Sequence, residues 1–436
     1  MQLIFHPRVR FREGREACSR AVLLARLHKL QHAEPKAIET YTKRKLARIL
    51  DHCRRRIPFY RDWFTKNPVE SYDLSHFPII NKDTLRTSPT SHLLPGIDEE
   101  KCWTNLSSGS TGEPMRFLFD RYTGAVVDKA ASYFNMFESG YTLRDRLGKQ
   151  AVRDIGKWWM KLGIMRMKAI PMVGDHFQTI RELVDWRATC LYFSPSLGEA
   201  LAMANNQSKE HLRVKWIFTS NETLFQSAAA LLSSSFEAKV FDRYGSAEFP
   251  GVAWTCEENN YHIIPEQIVE TLDSRGEQVG PGERGILVLT TLNNTVEPLV
   301  RYDTQDLAIV GDTDRCGCGR TSPYLRRVEG RIHDFLVDHD GWGISPMILN
   351  PLMDDYNNIR RFKVRQTKRG EAVVEIVPAR PDIDLETIPA LKVVAERLKG
   401  RISLKVRAVE SVEDTGGKRR IVDSAVKPDW LRSSES

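Results

Sequence analysis

Apolar residues recur at helical spacing in the first part of the chain: Val22, Leu23, Leu27 and Leu30, then Leu46, Ile49 and Leu50. This predicts helices over about 15–66. Pro58 should stop them, with Pro58-Phe-Tyr opening a turn. Pro78-Ile-Ile-Asn-Lys-Asp reads as a short strand running into a helix capped near Asn81. From about residue 101 strand-like and helix-like segments alternate: Val214–Ser220 as strand, Ala228–Phe236 as helix, Lys239–Tyr244 as strand. Such alternation predicts an α/β architecture. Residues 262–330 differ, with short β runs (Ile263–Leu272, Gly285–Leu292, Leu307–Val310) broken by turn signals at Asp273-Ser-Arg-Gly and Gly280-Pro-Gly. They predict a mostly antiparallel β region. In the last hundred residues, strands at Phe362–Gln366, Ala372–Val377 and Ser403–Val409 flank a helix at Ile388–Leu398, with Pro389 in its first turn. That is a small α+β unit.

The 436 residues, 41% hydrophobic and 28% charged, suit two or three structural units with a sizeable core. No apolar stretch is long enough to cross a bilayer, and no signal core follows Arg8, Arg10 and Arg12. A cytoplasmic protein is expected. The net charge of +7 is dispersed, the densest runs being Arg54–Arg56, Arg326–Arg327 and Lys418–Arg420. No nucleic-acid-binding motif accompanies it, so nucleic acid is not an expected partner. The seven cysteines do not form the framework of a secreted domain.

Five motifs could carry chemistry, and each also has a plainer reading as a turn, connector or surface loop. In Ser107-Ser-Gly-Ser-Thr-Gly-Glu-Pro114, Gly109 and Gly112 free the backbone. Its N–H groups and the hydroxyls of Ser107, Ser108, Ser110 and Thr111 can then face an anion such as a triphosphate. It lacks the Gly-Lys-Ser/Thr ending of a P-loop. In Asp242-Arg-Tyr-Gly-Ser-Ala-Glu248, Tyr244 offers an aromatic face to a base and Gly245 a close backbone approach. Glu248 there offers a carboxylate for a divalent cation bridging phosphates. In Pro298–Leu307, Asp306 could accept from the two hydroxyls of a ribose. In Val328–Phe335, Arg331 could contact ribose or phosphate, and Asp334 lies where a hinge could form. In Thr415–Val422, Lys418 sits on a glycine loop that could swing its charge toward an α-phosphate.

In this order the five motifs resemble those of the adenylate-forming superfamily, most nearly the shorter branch of phenylacetate-CoA ligase-like and capsular-polysaccharide proteins. Ile57-Pro-Phe-Tyr-Arg, Phe77-Pro-Ile-Ile-Asn-Lys-Asp-Thr-Leu85, Ile217–Leu224 and Cys316-Gly-Cys-Gly-Arg320 match as well, so the resemblance spans about 40–425. It implies a large AMP-binding domain over 1–333, with a helical segment 1–66 and a β subdomain at about 250–330, and a mobile lid over 334–436. The loop 107–112 would hold the phosphates of ATP, Tyr244 would stack on adenine, Glu248 would bind magnesium and Asp306 the ribose. Arg331 would assist, Lys418 would drive adenylation and the lid would rotate about Asp334. The activity implied is conversion of a carboxylic acid, aromatic or hydrophobic, to its acyl-adenylate and then transfer to coenzyme A. A non-CoA acceptor (sugar, amine, hydroxyl or carrier protein) and a non-catalytic nucleotide-binding homologue are the alternatives.

The chain departs from the pattern at Met115, where a lysine is common, and at Ala247, which removes a hydroxyl. It departs again at Gln305, where glycine is common, and at His333 in the hinge. Cys256, His262, Cys316 and Cys318 form a full tetrahedral set with no open position, as a structural zinc uses, and relatives in this branch carry a similar set. Phe134, Phe137, Trp158, Trp159 and Phe193 read as core or acid pocket. An oligomer is possible.

Overall fold

The computed structural model describes residues 7–68, 73–107, 115–151, 158–312, 315–355, 357–412, 421–426 and 428–429. Three helices open the chain: α1 (Pro7–Leu30), α2 (Pro35–Arg56) and α3 (Pro58–Lys66). The expected turn at Pro58 is instead the first residue of α3. Ile57 is extended, and a proline at the first helical position loses no intrahelical bond. Tyr60 of α3 is buried, and its hydroxyl donates to the Pro298 carbonyl and accepts from the Val300 amide. The short α4 (Lys82–Thr87) starts at Asn81, whose side chain and that of Thr84 form a reciprocal capping box.

The hairpin β1 (Trp103–Leu106) and β2 (Arg116–Phe119) precedes α5 (Asp128–Glu138). There follow β3 (Arg146–Gln150), β4 (Arg166–Ile170), α6 (His176–Asp185), β5 (Cys190–Phe193), α7 (Pro195–Gln207), β6 (Trp216–Ser220), α8 (Gln226–Phe236) and β7 (Lys239–Tyr244). Then come β8 (Ala253–Thr255), β9 (Tyr261–Ile263), β10 (Gln267–Leu272), β11 (Arg284–Thr291), β12 (Tyr302–Val310) and β13 (Tyr324–Arg331).

From β3 to β13 these strands form one eleven-stranded sheet, ordered β10-β11-β12-β13-β9-β8-β7-β6-β5-β3-β4. The five strands from β7 to β4 are parallel. Both faces of this part are covered, as parallel strands require. Ile180, Leu183, Leu197, Leu201 and Leu232 of α6 to α8 pack with Leu191 and Ile217. On the opposite face Met136 of α5 packs with Cys190, Phe218 and Phe241. The antiparallel region expected over 262–330 is present, and it continues the same sheet through β8.

After β13 the chain makes the small hairpin β14 (Leu336–Val337) and β15 (Gly343–Ile344), then α9 (Asn350–Asp354), β16 (Ile359–Lys368), β17 (Glu371–Pro378), α10 (Pro389–Leu398), β18 (Ser403–Ala408) and β19 (Val422–Ser424). The last four strands form a sheet ordered β18-β17-β16-β19. Its core gathers Leu336, Phe362, Val364, Val374, Ile376, Leu391, Val394 and Val422, with Phe225 inserted from the start of α8. Among the described residues no helix is long and apolar enough to cross a membrane.

His92 is buried against Phe59, ring centroids 4.1 Å apart, and neither ring nitrogen has a hydrogen-bond partner. Burial pulls its pKa down to about 4. Between its unfolded value near 6.5 and that figure, the unfolded chain binds a proton the folded one refuses. Stability is therefore full above pH 6.5 and falls, by up to about 3 kcal/mol, as the pH drops toward 4. His92→Leu should raise the urea midpoint more at pH 5 than at pH 7.5; an equal shift at both would refute this account.

Candidate functional site

Strand β7 delivers Tyr244 at its carboxyl end, and the chain then turns sharply through Gly245. A β-carbon there would lie 2.8 Å from the Pro250 carbonyl oxygen, so the turn closes only on glycine. The Tyr244 hydroxyl donates to Asp306 Oδ2 at 2.7 Å. Arg331, opposite Asp306 in the β12–β13 register, places Nε 3.9 Å from Asp306 Oδ1. Burial raises the Asp306 pKa, while Arg331 and the tyrosine hydroxyl counter it. Gln305, where glycine was noted as common, has φ +61°, the left-handed conformation glycine adopts without strain.

The carboxylate of Glu248 is buried. Its Oε1 accepts from the Tyr302 hydroxyl at 3.2 Å and meets the Lys82 ammonium at 3.2 Å. Burial pushes the Glu248 pKa up, but Lys82 and nearby hydrogen bonds outweigh it, and the net shift is downward. Lys82 is fixed from two sides. The capping box anchors the start of α4, and the preceding segment lies along β12: the Ile80 amide donates to Arg301 O at 3.0 Å and the Asp303 amide to Ile80 O at 2.8 Å. The sequence pattern around Lys82 was legible, but no role for Lys82 or Tyr302 was read from it. The signal was a cation at the start of a capped helix, next to a segment with strand character.

Ser107 is buried at the base of the β1–β2 hairpin, where its hydroxyl accepts from the Met115 amide at 2.8 Å. Asn105 of β1 donates to the Ala247 carbonyl at 3.3 Å, which sets the base of the glycine-rich loop beside Glu248. The structure thus gathers Ser107, Tyr244, Gly245, Glu248, Asp306 and Arg331. Ser108, Gly109, Ser110, Thr111, Gly112 and Lys418 lie outside the described residues. Asp334 closes the turn after β13 and lines an open cleft of roughly 500 Å³, with Glu222, Thr223, Gly330, Met353 and Ile421. Phe134 and Phe193 are core residues, packed with Trp254 and Leu191 respectively.

Cys256, His262, Cys316 and Cys318 converge elsewhere, with their ligand atoms all within 4.8 Å of one another. Cys256 Sγ and Cys316 Sγ are 3.7 Å apart, and Cys318 Sγ is 3.3 Å from His262 Nε2. Two sulfurs bound to one tetrahedral zinc would be about 3.8 Å apart. His262 Nδ1 faces Ser322 Oγ at 2.9 Å, which orients the ring with Nε2 inward. The donor set fits zinc.

No protein-family model matches the chain. It is 26% identical to a phenylacetate-coenzyme A ligase of Thermus thermophilus over 318 residues, 67% of this chain and 70% of that protein. A phenylacetate-coenzyme A ligase of Pseudomonas putida is 24% identical over 341 residues, 72% and 75% of the two chains. The chain is a homologue of phenylacetate-coenzyme A ligases. Its fold is that of the adenylate-forming CoA ligases. A 2-hydroxyisobutyryl-CoA ligase in its postadenylation state superposes with a TM-score of 0.73 at 19% identity, over 93% of each chain. An anthranilate CoA ligase bound to anthranoyl-AMP gives 0.55 at 15% identity, over 78% of this chain and 69% of that one.

Lys82→Met would leave the buried Glu248 carboxyl without its counter-charge, with hydrogen bonds from Tyr302 and Ser246 among its remaining partners. The expected cost is about 2 kcal/mol, less than for a fully enclosed pair because the lysine side chain is 23% exposed. In a Glu248→Gln background the same change should cost under about 0.5 kcal/mol. Urea unfolding of the four proteins measures the coupling, and additive losses would show that the pair does not stabilise the fold.

Proposed function

We propose that this homologue activates a carboxylic acid with ATP, forming an acyl-adenylate and pyrophosphate, and then passes the acyl group to coenzyme A. The observation that carries the reading is the meeting of Tyr244, Asp306 and Arg331 with Glu248 and Lys82 at the base of the glycine-rich loop. An aromatic ring, a ribose-sized acceptor and a carboxylate–ammonium pair are the features a nucleoside triphosphate needs. Tyr244 offers its face to adenine. Asp306 accepts from the ribose hydroxyls, and Arg331 donates to ribose or phosphate. The loop 107–112 holds the triphosphate. Glu248 would hold magnesium, which would neutralise phosphate charge. Lys82 keeps Glu248 ionised and lends a second positive charge to the phosphates, in a region where the loop itself contributes no lysine or arginine.

In the first step a carboxylate oxygen attacks the α-phosphorus, and the bond to the β-phosphate oxygen breaks. Lys418 is assigned to the charge that builds up on both partners. In the second, a coenzyme A thiolate attacks the acyl carbon and AMP leaves. We divide the chain into an AMP-binding domain, 1–333, and a lid, 334–436, rotating about Asp334 between the steps. We assign the reaction to the cytoplasm, a compartment that supplies both ATP and coenzyme A. The Cys256/His262/Cys316/Cys318 set is assigned a structural zinc.

Acid-dependent exchange of labelled pyrophosphate into ATP tests adenylation. Wild type should exchange with at least one acid, and Lys418→Ala should lose at least about a hundredfold, a few kcal/mol of transition-state stabilisation. Adding coenzyme A should then yield a thioester; adenylate without thioester would move the reading to another acceptor. Purified protein should carry one zinc per chain. Cys316→Ser should lose that zinc and melt lower, while exchange per folded molecule stays within about threefold. A metal-free wild type with an unchanged melting temperature would remove zinc from the account.

A further inference from the structure

Four polar side chains lie in a row across the parallel half of the sheet. Lys149, Tyr192, Ser220 and Arg243 each stand at the last or next-to-last position of their strands β3, β5, β6 and β7. The register pairs Lys149 with Tyr192, Tyr192 with Phe218, and Ser220 with Arg243. Paired residues share a face, as do residues two apart along a strand, so all four project from one face. That face is the one covered by α5, whose first turn adds Asp128 and Lys129.

Contacts within the row are specific. The Tyr192 and Ser220 hydroxyls are 2.7 Å apart. The Lys149 ammonium lies 5.3 Å from the centre of the Tyr192 ring. Lys129 is 3.5 Å from Asp128 and packs over Trp103, in the first strand of the hairpin that carries the glycine-rich loop. Two cations remain without a carboxylate partner among the described residues. Lys149 is half-buried and makes no ion pair, and Arg243 donates to the Pro250 carbonyl while its buried Nε has no acceptor. Burial first, then the like charges of Lys129 and Arg243, pull the Lys149 pKa down to about 8, with Asp128 opposing. Both cations would be stabilised by an anion brought to this row.

Location says which anion. In open α/β sheets, ligands bind outside the carboxyl ends of the parallel strands. Arg243 donates to the Pro250 carbonyl, the same carbonyl that closes on Gly245 in the turn after Tyr244, so its end of the row adjoins the proposed nucleotide site. Lys149 is three strand spacings away, about 14 Å along the sheet. That separation is too great for the carboxylate that reacts at the α-phosphorus, but it suits the far end of the same molecule. The expectation of an aromatic or hydrophobic acid accounts for Tyr133 and Phe137 nearby and leaves the two cations without a role.

We propose that this row is the acyl subsite and that the acid activated here carries a second anionic group at its far end, a dicarboxylic acid being the simplest case. Lys149 binds the distal carboxylate with help from the Tyr192 and Ser220 hydroxyls, and Arg243 lines the near end. The proposal rests on the adenylation reading.

Pyrophosphate–ATP exchange tests it, using straight-chain dicarboxylic acids of graded length, their matched monoacids and phenylacetate. Wild type should show a KM at least about tenfold lower for the best diacid than for its monoacid, as one charge-assisted contact supplies. In Lys149→Met, of similar volume and uncharged, that ratio should fall to about one. Lys149→Arg should restore much of it, and a melting curve checks that both variants fold. Exchange that prefers monoacids or phenylacetate, or a diacid preference that survives Lys149→Met, overturns the proposal and leaves adenylation standing. Exchange with no acid at all overturns the adenylation reading, and this proposal with it.

Discussion

The architecture depends on one strand pairing in two senses. β7 runs parallel to β6 on one side and antiparallel to β8 on the other, so two sheets of different character become one. A single buried carboxylate fastens the junction. Asp242 accepts from Thr219 of β6 at 2.5 Å and from Tyr261 of β9 at 2.6 Å, and its amide donates to Thr255 of β8 at 2.7 Å. Burial raises its pKa, and the two hydroxyls oppose the rise by bonding to the charged form. Three strands are thereby tied to one residue, and the next residues along β7 are Arg243 and Tyr244. The parallel half ends in carboxyl termini suited to a ligand, while the antiparallel half brings Asp306 and Arg331. The candidate site lies where the two meet, and its geometry follows from the register on both sides of Asp242.

The elements were legible because periodicity is local. The helices before residue 66, the strand–helix alternation after 101 and the strands of the last hundred residues follow from spacing that each segment carries within itself. Pro58 was misread because a proline that ends one helix also suits the first position of the next, and only the docking of Tyr60 on Pro298 and Val300 decides between them. The candidate site was legible as an ordered set of motifs, and the structure brings Ser107, Tyr244, Gly245, Glu248, Asp306 and Arg331 into one neighbourhood. What the sequence could not show was pairing between distant segments. Lys82 meets Glu248 because Ile80 lies along β12, and no local pattern announces that contact. The row from Lys149 to Arg243 is likewise visible only after four strands are in register.

The cysteine–histidine cluster stands apart from this chemistry and acts on the framework. Two residues after Cys318, Arg320 packs 4.8 Å over Trp254, donates to the Gln31 side chain at 3.0 Å and pairs with Glu257 at 3.1 Å. The Thr321 amide donates to the Gln31 carbonyl at 2.9 Å. The knuckle therefore fixes the end of α1 to the sheet, and α1 in turn packs on α5 through Leu23 and Leu27 with Ala130 and Phe134. A closed set of four donors at this position would stiffen the helix that roofs the polar row, without offering a ligand position to substrate.

Charge differs between the candidate nucleotide site and the polar row. At the former, Glu248 faces Lys82 and Tyr302, and Asp306 faces Arg331 and Tyr244. Such a site keeps its geometry before a ligand arrives, and preorganised groups of this kind favour binding by lowering the cost of ordering. Along β3 to β7 the balance differs, because Lys149 and Arg243 make no ion pair among the described residues and Asp128 is engaged by Lys129. Half-buried cations without partners weaken a fold, and a ligand that supplies the missing charge binds more tightly for that reason. On the proposed reading, complementarity is completed by protein at the nucleotide end and by substrate at the acyl end. On that physical ground, specificity for the acid is expected to reside in electrostatics at the ends of β3 and β7 as well as in the shape of the apolar walls between them.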